Sequence, residues 1–271
     1  MKSLYQSLLS LLTLFALSTF LSSHEFWLEP AKFFYKAGEP VSIKFLVGEN
    51  FEGENWKGNR QTIQDLHLYY NGVEDDLAGM FTDSTYGDSL YMQFFDEGTT
   101  MVTFNSANKF IELDSAKFLE YLKEDGLQNA IDYRAEHGET DSAGREYYQR
   151  SVKTIFQVGA KQDDTYKINT TLPVDIIPLS HPYSLKNGQA LQLKIFFLKE
   201  PLANAAVKIW HKLNGKTEKQ EMMSDSSGII KFPVNLSGNW MVSAVKMIRL
   251  ENDSTAQWQS YWGSLTWGYS K

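Results

Sequence analysis

The sequence predicts a mainly β protein: two β-sandwich domains, the first with a helical insertion, the second transthyretin- or immunoglobulin-like. Three observations carry this. Apolar and polar residues alternate at period two along most of the chain. Aromatic residues make up 14% of its 271 residues, which favours pleated structure over a helical bundle. Turn chemistry also recurs between short strands after residue 170, at the spacing of about eight to twelve residues expected of a sandwich.

Residues Trp27 to Val47 read as strands, with a turn at Ala37–Pro40 followed by Val41, Ile43, Phe45 and Val47 in alternation. Gly48 to Gly58 reads as a glycine-punctuated acidic loop. Asp65 to Tyr70 alternates again and ends at Asn71–Gly72, a strong hairpin signal. Short strands follow at Ser89–Phe95 and Thr100–Phe104. From about 115 to 148 the period changes. Phe118, Tyr121, Leu122, Leu127, Ala130 and Ile131 recur at helical spacing, Asp114 or Ser115 can cap the start, and Gly126 ends or kinks the first helix. Strand character returns at Ser151–Val158. Thr170–Leu172 is a linker, so the predicted domains span 24–170 and 171–271. In the second, Leu191 to Phe197, Val207 to His211, Ile230 to Phe232 and Trp240 to Lys246 alternate. Turns at Pro201–Ala205, Asp225–Gly228 and Ser237–Asn239 separate them.

Residues 1–23 read as an export signal rather than as part of the fold. Lys2 supplies a basic start, Leu8–Leu21 an apolar run, and Ser22–Ser23 the small residues before a cleavage point. At about 14 residues the run falls short of the roughly 20 needed to span a bilayer. No later segment approaches that length, so no transmembrane segment is expected in the mature chain. Cleavage after Ser23 would make His24 the new N-terminus. The chain has no cysteine, which excludes disulfide scaffolds, cysteine-based metal sites and thiol catalysis, and which suits a bacterial periplasm better than a eukaryotic secretory route. A net charge of −7 argues against a nucleic-acid partner.

Enzyme templates fail. The chain lacks a G-x-S-x-G elbow, an H-E-x-x-H helix and a phosphate-cradling P-loop, and no pair of carboxylates is singled out for glycoside hydrolysis. The expected function is therefore non-catalytic: transition-metal binding or, as the alternative, a cell-envelope interaction module that binds a protein or glycan without metal. Its five histidines are His24, His67, His137, His181 and His211. A histidine at a free N-terminus can chelate a metal through its α-amine and Nδ1. A second histidine brought beside it by folding would complete a brace for Ni(II), Co(II) or Cu(II). His67 and His211, each among alternating strand residues, are the candidates for that second ligand; the competing reading makes each an ordinary hydrogen-bonded residue. Trp56, Trp258, Trp262 and Trp267 with Tyr261 and Tyr269 offer an alternative, an aromatic face for sugars. Their alternation fits a final strand divided between core and surface just as well.

The block His24–Glu25–Phe26–Trp27–Leu28–Glu29–Pro30 after a signal sequence resembles the H-[DE]-F-W-[LI]-x-P opening of domain-of-unknown-function family 4198, described as nickel-uptake-transporter-like exported periplasmic proteins. Gly38–Val41, Val47–Glu49, Ile111–Leu113, Lys117–Leu122, Glu124–Leu127, Gly144–Glu146 and Tyr148–Val152 match as well, as do Pro201–Ala203, Asp225–Gly228, Gly238–Val242 and the ending from Trp258 to Leu265. The similarity spans nearly all of 24–267. It implies a role in nickel or cobalt uptake, with His24 as primary ligand and a membrane permease or outer-membrane receptor as partner. One position departs from the pattern: Lys246 stands before Met247 where the family often has histidine.

Overall fold

In the computed structural model, residues 25–81 and 89–269 are described. The predicted export signal and His24 lie outside them. The first half contributes β1 (Glu25–Pro30), β2 (Phe34–Tyr35), β3 (Pro40–Glu49), β4 (Glu52–Asn55), β5 (Ile63–Tyr70), β6 (Val73–Asp76), β7 (Ser89–Gln93), β8 (Gly98–Ser106) and β9 (Lys109–Leu113). Two helices follow, α1 (Ser115–Glu124) and α2 (Gln128–Glu136), and then the long β10 (Gly144–Val158). The second half adds β11 (Val174–Pro178), β12 (Ala190–Phe197), β13 (Glu200–Pro201), β14 (Ala206–Leu213), β15 (Lys216–Met223), β16 (Ile229–Pro233), β17 (Asn239–Arg249) and β18 (Trp258–Gly268).

These form three layers. The middle layer is a ten-stranded sheet in the order β15-β14-β17-β18-β10-β8-β5-β6, with β2 and β9 pairing β10. One face carries a sheet of β1, β3, β4 and β7, together with the two helices; the other carries β11, β12, β13 and β16. Alternation along the middle strands decides which core each residue enters. On β10, Val152 and Phe156 join the first core while Ile155 joins the second. The two predicted sandwiches are thus both present, and they share a sheet. Parallel pairing of β10 with β18, from Glu146 against Trp258 to Thr154 against Thr266, crosses the linker that divides them in sequence.

Two local expectations need correction. The helical insertion ends earlier than 148, because Gly144–Tyr148 already belongs to β10 and pairs with β9. The acidic segment 48–58 is not a plain loop: Asn50 and Phe51 take positive φ and turn β3 into β4. A further strand carries no alternating apolar signal: Lys216–Met223 forms the outer edge strand β15, largely exposed, with Met222 packing against the second core.

Helix α1 is fixed at both ends. Asp114 accepts from Lys117 N at α1's start. At its end Gly126 has φ +63°, and a Cβ there would lie 2.5 Å from Ala206 Cβ. Gly126→Ala should therefore cost about 1–3 kcal/mol through left-handed strain plus the clash, read as a lowered urea midpoint with unchanged slope.

Candidate functional site

The start of β1 lies in a buried polar seam between the first sheet and α1. Antiparallel pairing to β3 sets Glu25 opposite Gly48. Ser264 and Thr266 of β18 donate their hydroxyls to the Phe26 and Leu28 carbonyls at 2.8 and 2.6 Å, fastening β1 to the middle sheet. The Glu25 carboxylate is 5% exposed and 3.4 Å from Lys208 Nζ on β14. The same ammonium donates to Asp125 Oδ1, at the C-terminal cap of α1, at 2.7 Å. Two buried carboxylates thus meet one lysine, and Asp125 holds it more closely.

Burial pushes the Glu25 carboxyl up to about 7; the Lys208 charge opposes this and Asp125 adds to it. Burial alone would lower the Lys208 value, but Asp125 and Glu25 outweigh it and raise it. A second acid lies further along the seam. Glu146 Oε1 accepts from the Ser260 hydroxyl at 3.2 Å, and Trp262 Nε1 donates to that same Ser260 oxygen at 3.0 Å. Tyr121 stacks on Trp262 with ring centroids 5.6 Å apart. Burial lifts Glu146 to about 8, against the hydrogen bonds of Ser260 and Tyr121, with a further rise from Asp125.

A carboxyl held above its unfolded value keeps its proton in the folded state, so its stabilising contribution is full below the unfolded value and is lost as pH rises through the folded one. Glu146→Gln cannot ionise. Relative to wild type it should gain roughly 1 kcal/mol of stability per pH unit between about pH 5 and pH 8. Chemical denaturation across that range checks it.

None of the four histidines among the described residues joins this seam. His67 and His211 both belong to the face of the middle sheet opposite Glu25 and Lys208, as the alternation on β5 and β14 requires. They are also far from each other. β17, β18, β10 and β8 lie between their strands, a separation of roughly 24 Å at about 4.8 Å per strand. His67 Nδ1 is 2.9 Å from Glu74 Oε1. His211 Nε2 is 2.8 Å from the Ser237 carbonyl, and its ring stacks on Trp240 at 4.2 Å. His137 caps α2 with Nδ1 2.8 Å from the Tyr133 carbonyl. His181 accepts from Tyr183 N at Nδ1 and reaches Thr99 Oγ1 with Nε2 at 2.9 Å, and burial lowers its proton affinity. Among the described residues no group of three or more His, Asp or Glu could hold a metal ion by itself.

The proposed aromatic sugar face is also overturned. Trp56, Trp258 and Trp267 are at most 5% exposed and fill three different cores. Glu25, Asp125, Lys208 and Glu146 escape a reading of the sequence because they are brought together from β1, α1, β14 and β10. Their one local signal is a charge inside an otherwise apolar stretch, as in Ala206–Val207–Lys208–Ile209–Trp210.

A family model described as a domain of unknown function, DUF4198, matches residues 21–247. That is somewhat shorter than the 24–267 suggested by motif, and it omits β18. No curated protein matches the chain. Among solved structures it is similar to Salmonella alpha-2-macroglobulin reacted with methylamine, at 9% identity and a TM-score of 0.23 over 90% of this chain and 15% of that one. A DUF4785 family protein from Legionella pneumophila gives 10% identity and a TM-score of 0.23 over 79% of this chain and 51% of that one. The chain therefore spans about a seventh of the macroglobulin and about half of the Legionella protein. Among the described residues no helix is long and apolar enough to cross a membrane.

Proposed function

The chain belongs to the DUF4198 family, and on that basis we propose that it is a non-catalytic transition-metal-binding protein of the bacterial periplasm. Its cargo is Ni(II) or Co(II), and its task is uptake or homeostasis through a membrane permease or an outer-membrane receptor. The observation that supports this reading is the carboxylate-rich seam at the very start of β1. A chain cut after Ser23 begins one residue ahead of Glu25, whose position is fixed by β3 and β18. The two nitrogens of a terminal histidine, the α-amine and Nδ1, form a chelate for a borderline divalent ion. Glu25 is the nearest oxygen donor in sequence, and its contact with Lys208 is the longer of the two that lysine makes.

The nitrogen donors in this reading come from His24 alone. His67 and His211 lie on the other face of the middle sheet, in reach of neither Glu25 nor one another.

Calorimetric titration of the exported chain with Ni(II), Co(II), Cu(II) and Zn(II) tests the proposal. One equivalent should bind, with affinity rising from Co(II) through Ni(II) to Cu(II). Heats indistinguishable from dilution for all four ions would refute it.

A further inference from the structure

The ten-stranded sheet ends in two very different edges. At one end β6 has 4 residues and carries Glu74, Asp75 and Asp76 in succession, so a second copy laid against it would meet like charge. At the other end β15 has 8 residues and pairs only with β14 among the described residues. That pairing is unbroken from Ala206 against Met223 to Leu213 against Lys216. The strand holds no proline and no bulge, two of the devices that keep a sheet edge from pairing further. Its charges are balanced, Lys216 and Lys219 against Glu218 and Glu221.

The turn fixes which backbone groups are free. Asn214 and Gly215, at φ 52° and 74°, make a two-residue hairpin, so Leu213 and Lys216 exchange hydrogen bonds and every second pair does the same. Ser224 N donates to the Ala205 carbonyl at 2.9 Å, which continues that phase past the strand's end. Lys216, Glu218, Gln220 and Met222 therefore direct N–H and C=O to β14. Thr217, Lys219, Glu221 and Met223 direct theirs outward, and among the described residues no hydrogen bond engages them.

An antiparallel second copy, related by a two-fold axis perpendicular to the sheet, must set outward residues opposite outward residues. One residue of β15 then lies opposite its own counterpart. With Glu218, Lys219 or Glu221 on the axis, two like charges meet there. With Gln220 on the axis they do not. Lys219 then lies opposite Glu221 of the second copy, and Glu221 opposite Lys219 of the second copy. Within one chain these two already form an ion pair at 2.9 Å, on the sheet face where Lys219 Nζ lies 5.4 Å from the Trp210 ring. Pairing joins both ion pairs into a closed network of four charges. Met223, 60% exposed in the single chain, falls opposite Thr217.

We propose that β15 is a dimerisation edge, on which a second copy of this chain pairs antiparallel about Gln220. A foreign strand would have to match this charge order, whereas the chain's own β15 matches it already. An edge-to-edge contact is at the small end of specific interfaces, so dimer and monomer should exchange. Sedimentation equilibrium of the whole exported chain from about 5 to 500 µM tests this, with the average mass expected to rise from one chain to two. Lys219→Glu and Glu221→Lys should each weaken the dimer about tenfold or more, since each sets like charges opposite one another twice. The two variants mixed together should dimerise again, as should the double variant Lys219→Glu/Glu221→Lys. Hydrogen exchange reads the register: the Lys219 and Glu221 amides should gain protection with concentration, while those of Glu218 and Gln220 stay protected throughout. A single chain at every concentration would overturn the proposal. So would species larger than a dimer, or a dimer that both single variants leave intact.

Discussion

Lys153→Met is expected to destabilise the protein by about 3–5 kcal/mol, the cost of leaving a buried charge without its partner. Lys153 on β10 and Asp175 on β11 are 0% and 1% exposed and form an ion pair inside the second core. The other oxygen, Asp175 Oδ2, accepts from Thr170 N at 2.7 Å and Thr170 Oγ1 at 2.9 Å, so the carboxylate is held from both sides. The pair ties the strand shared by both sandwiches to the sheet that covers its second face. Removing the lysine strands a carboxylate among aliphatic side chains. The double variant Lys153→Met/Asp175→Asn removes both charges yet keeps an acceptor for Thr170, and should regain most of the loss. Urea denaturation of the three proteins measures this coupling. A single-variant loss under about 1 kcal/mol would mean that the pair is hydrated, or that the layers are held chiefly by their apolar contacts.

His24→Ala should weaken Ni(II) binding by roughly 100-fold or more, beyond the tenfold to 100-fold typical of losing a group that only supports a ligand. Alanine retains the α-amine but removes the ring nitrogen that closes the chelate. His67→Ala and His211→Ala should change affinity by less than about threefold, since neither residue shares a sheet face with Glu25. This contrast is specific to an N-terminal site. Loss of binding in His211→Ala with none in His24→Ala would place the ion in the second sandwich. Calorimetry on the three variants distinguishes these outcomes.

Local physics made much of the fold legible. Asn71–Gly72, at φ 49° and 77°, turns β5 into β6 as its sequence requires. Asp114 caps α1, and the alternating apolar residues of β3, β12, β14 and β17 enter the cores. Strands at sheet edges were harder to see. β4 is wholly exposed and β15 nearly so, and neither carries the period-two pattern that marks a half-buried strand. The shared middle sheet was invisible for another reason. The pairing of Glu146 with Trp258 joins residues on either side of the linker, and no local pattern encodes it. The same nonlocality hid the seam. Lys208 and Lys153 look like solvent-facing positions of alternating strands, and only the covering layers on both faces of the sheet turn them into buried partners of Asp125 and Asp175. His24 lies outside the described residues.

In the proposed site a free amine on His24 completes the chelate, and blocking that amine is the decisive experiment. The exported chain, its N-terminus verified by intact mass, would be titrated with Ni(II) beside the same chain carrying one retained residue, Ser23. One equivalent should bind to the chain that starts at His24, with affinity lower by about 100-fold or more in its extended counterpart, where the histidine keeps only its ring nitrogen. Equal binding by the two chains would contradict it.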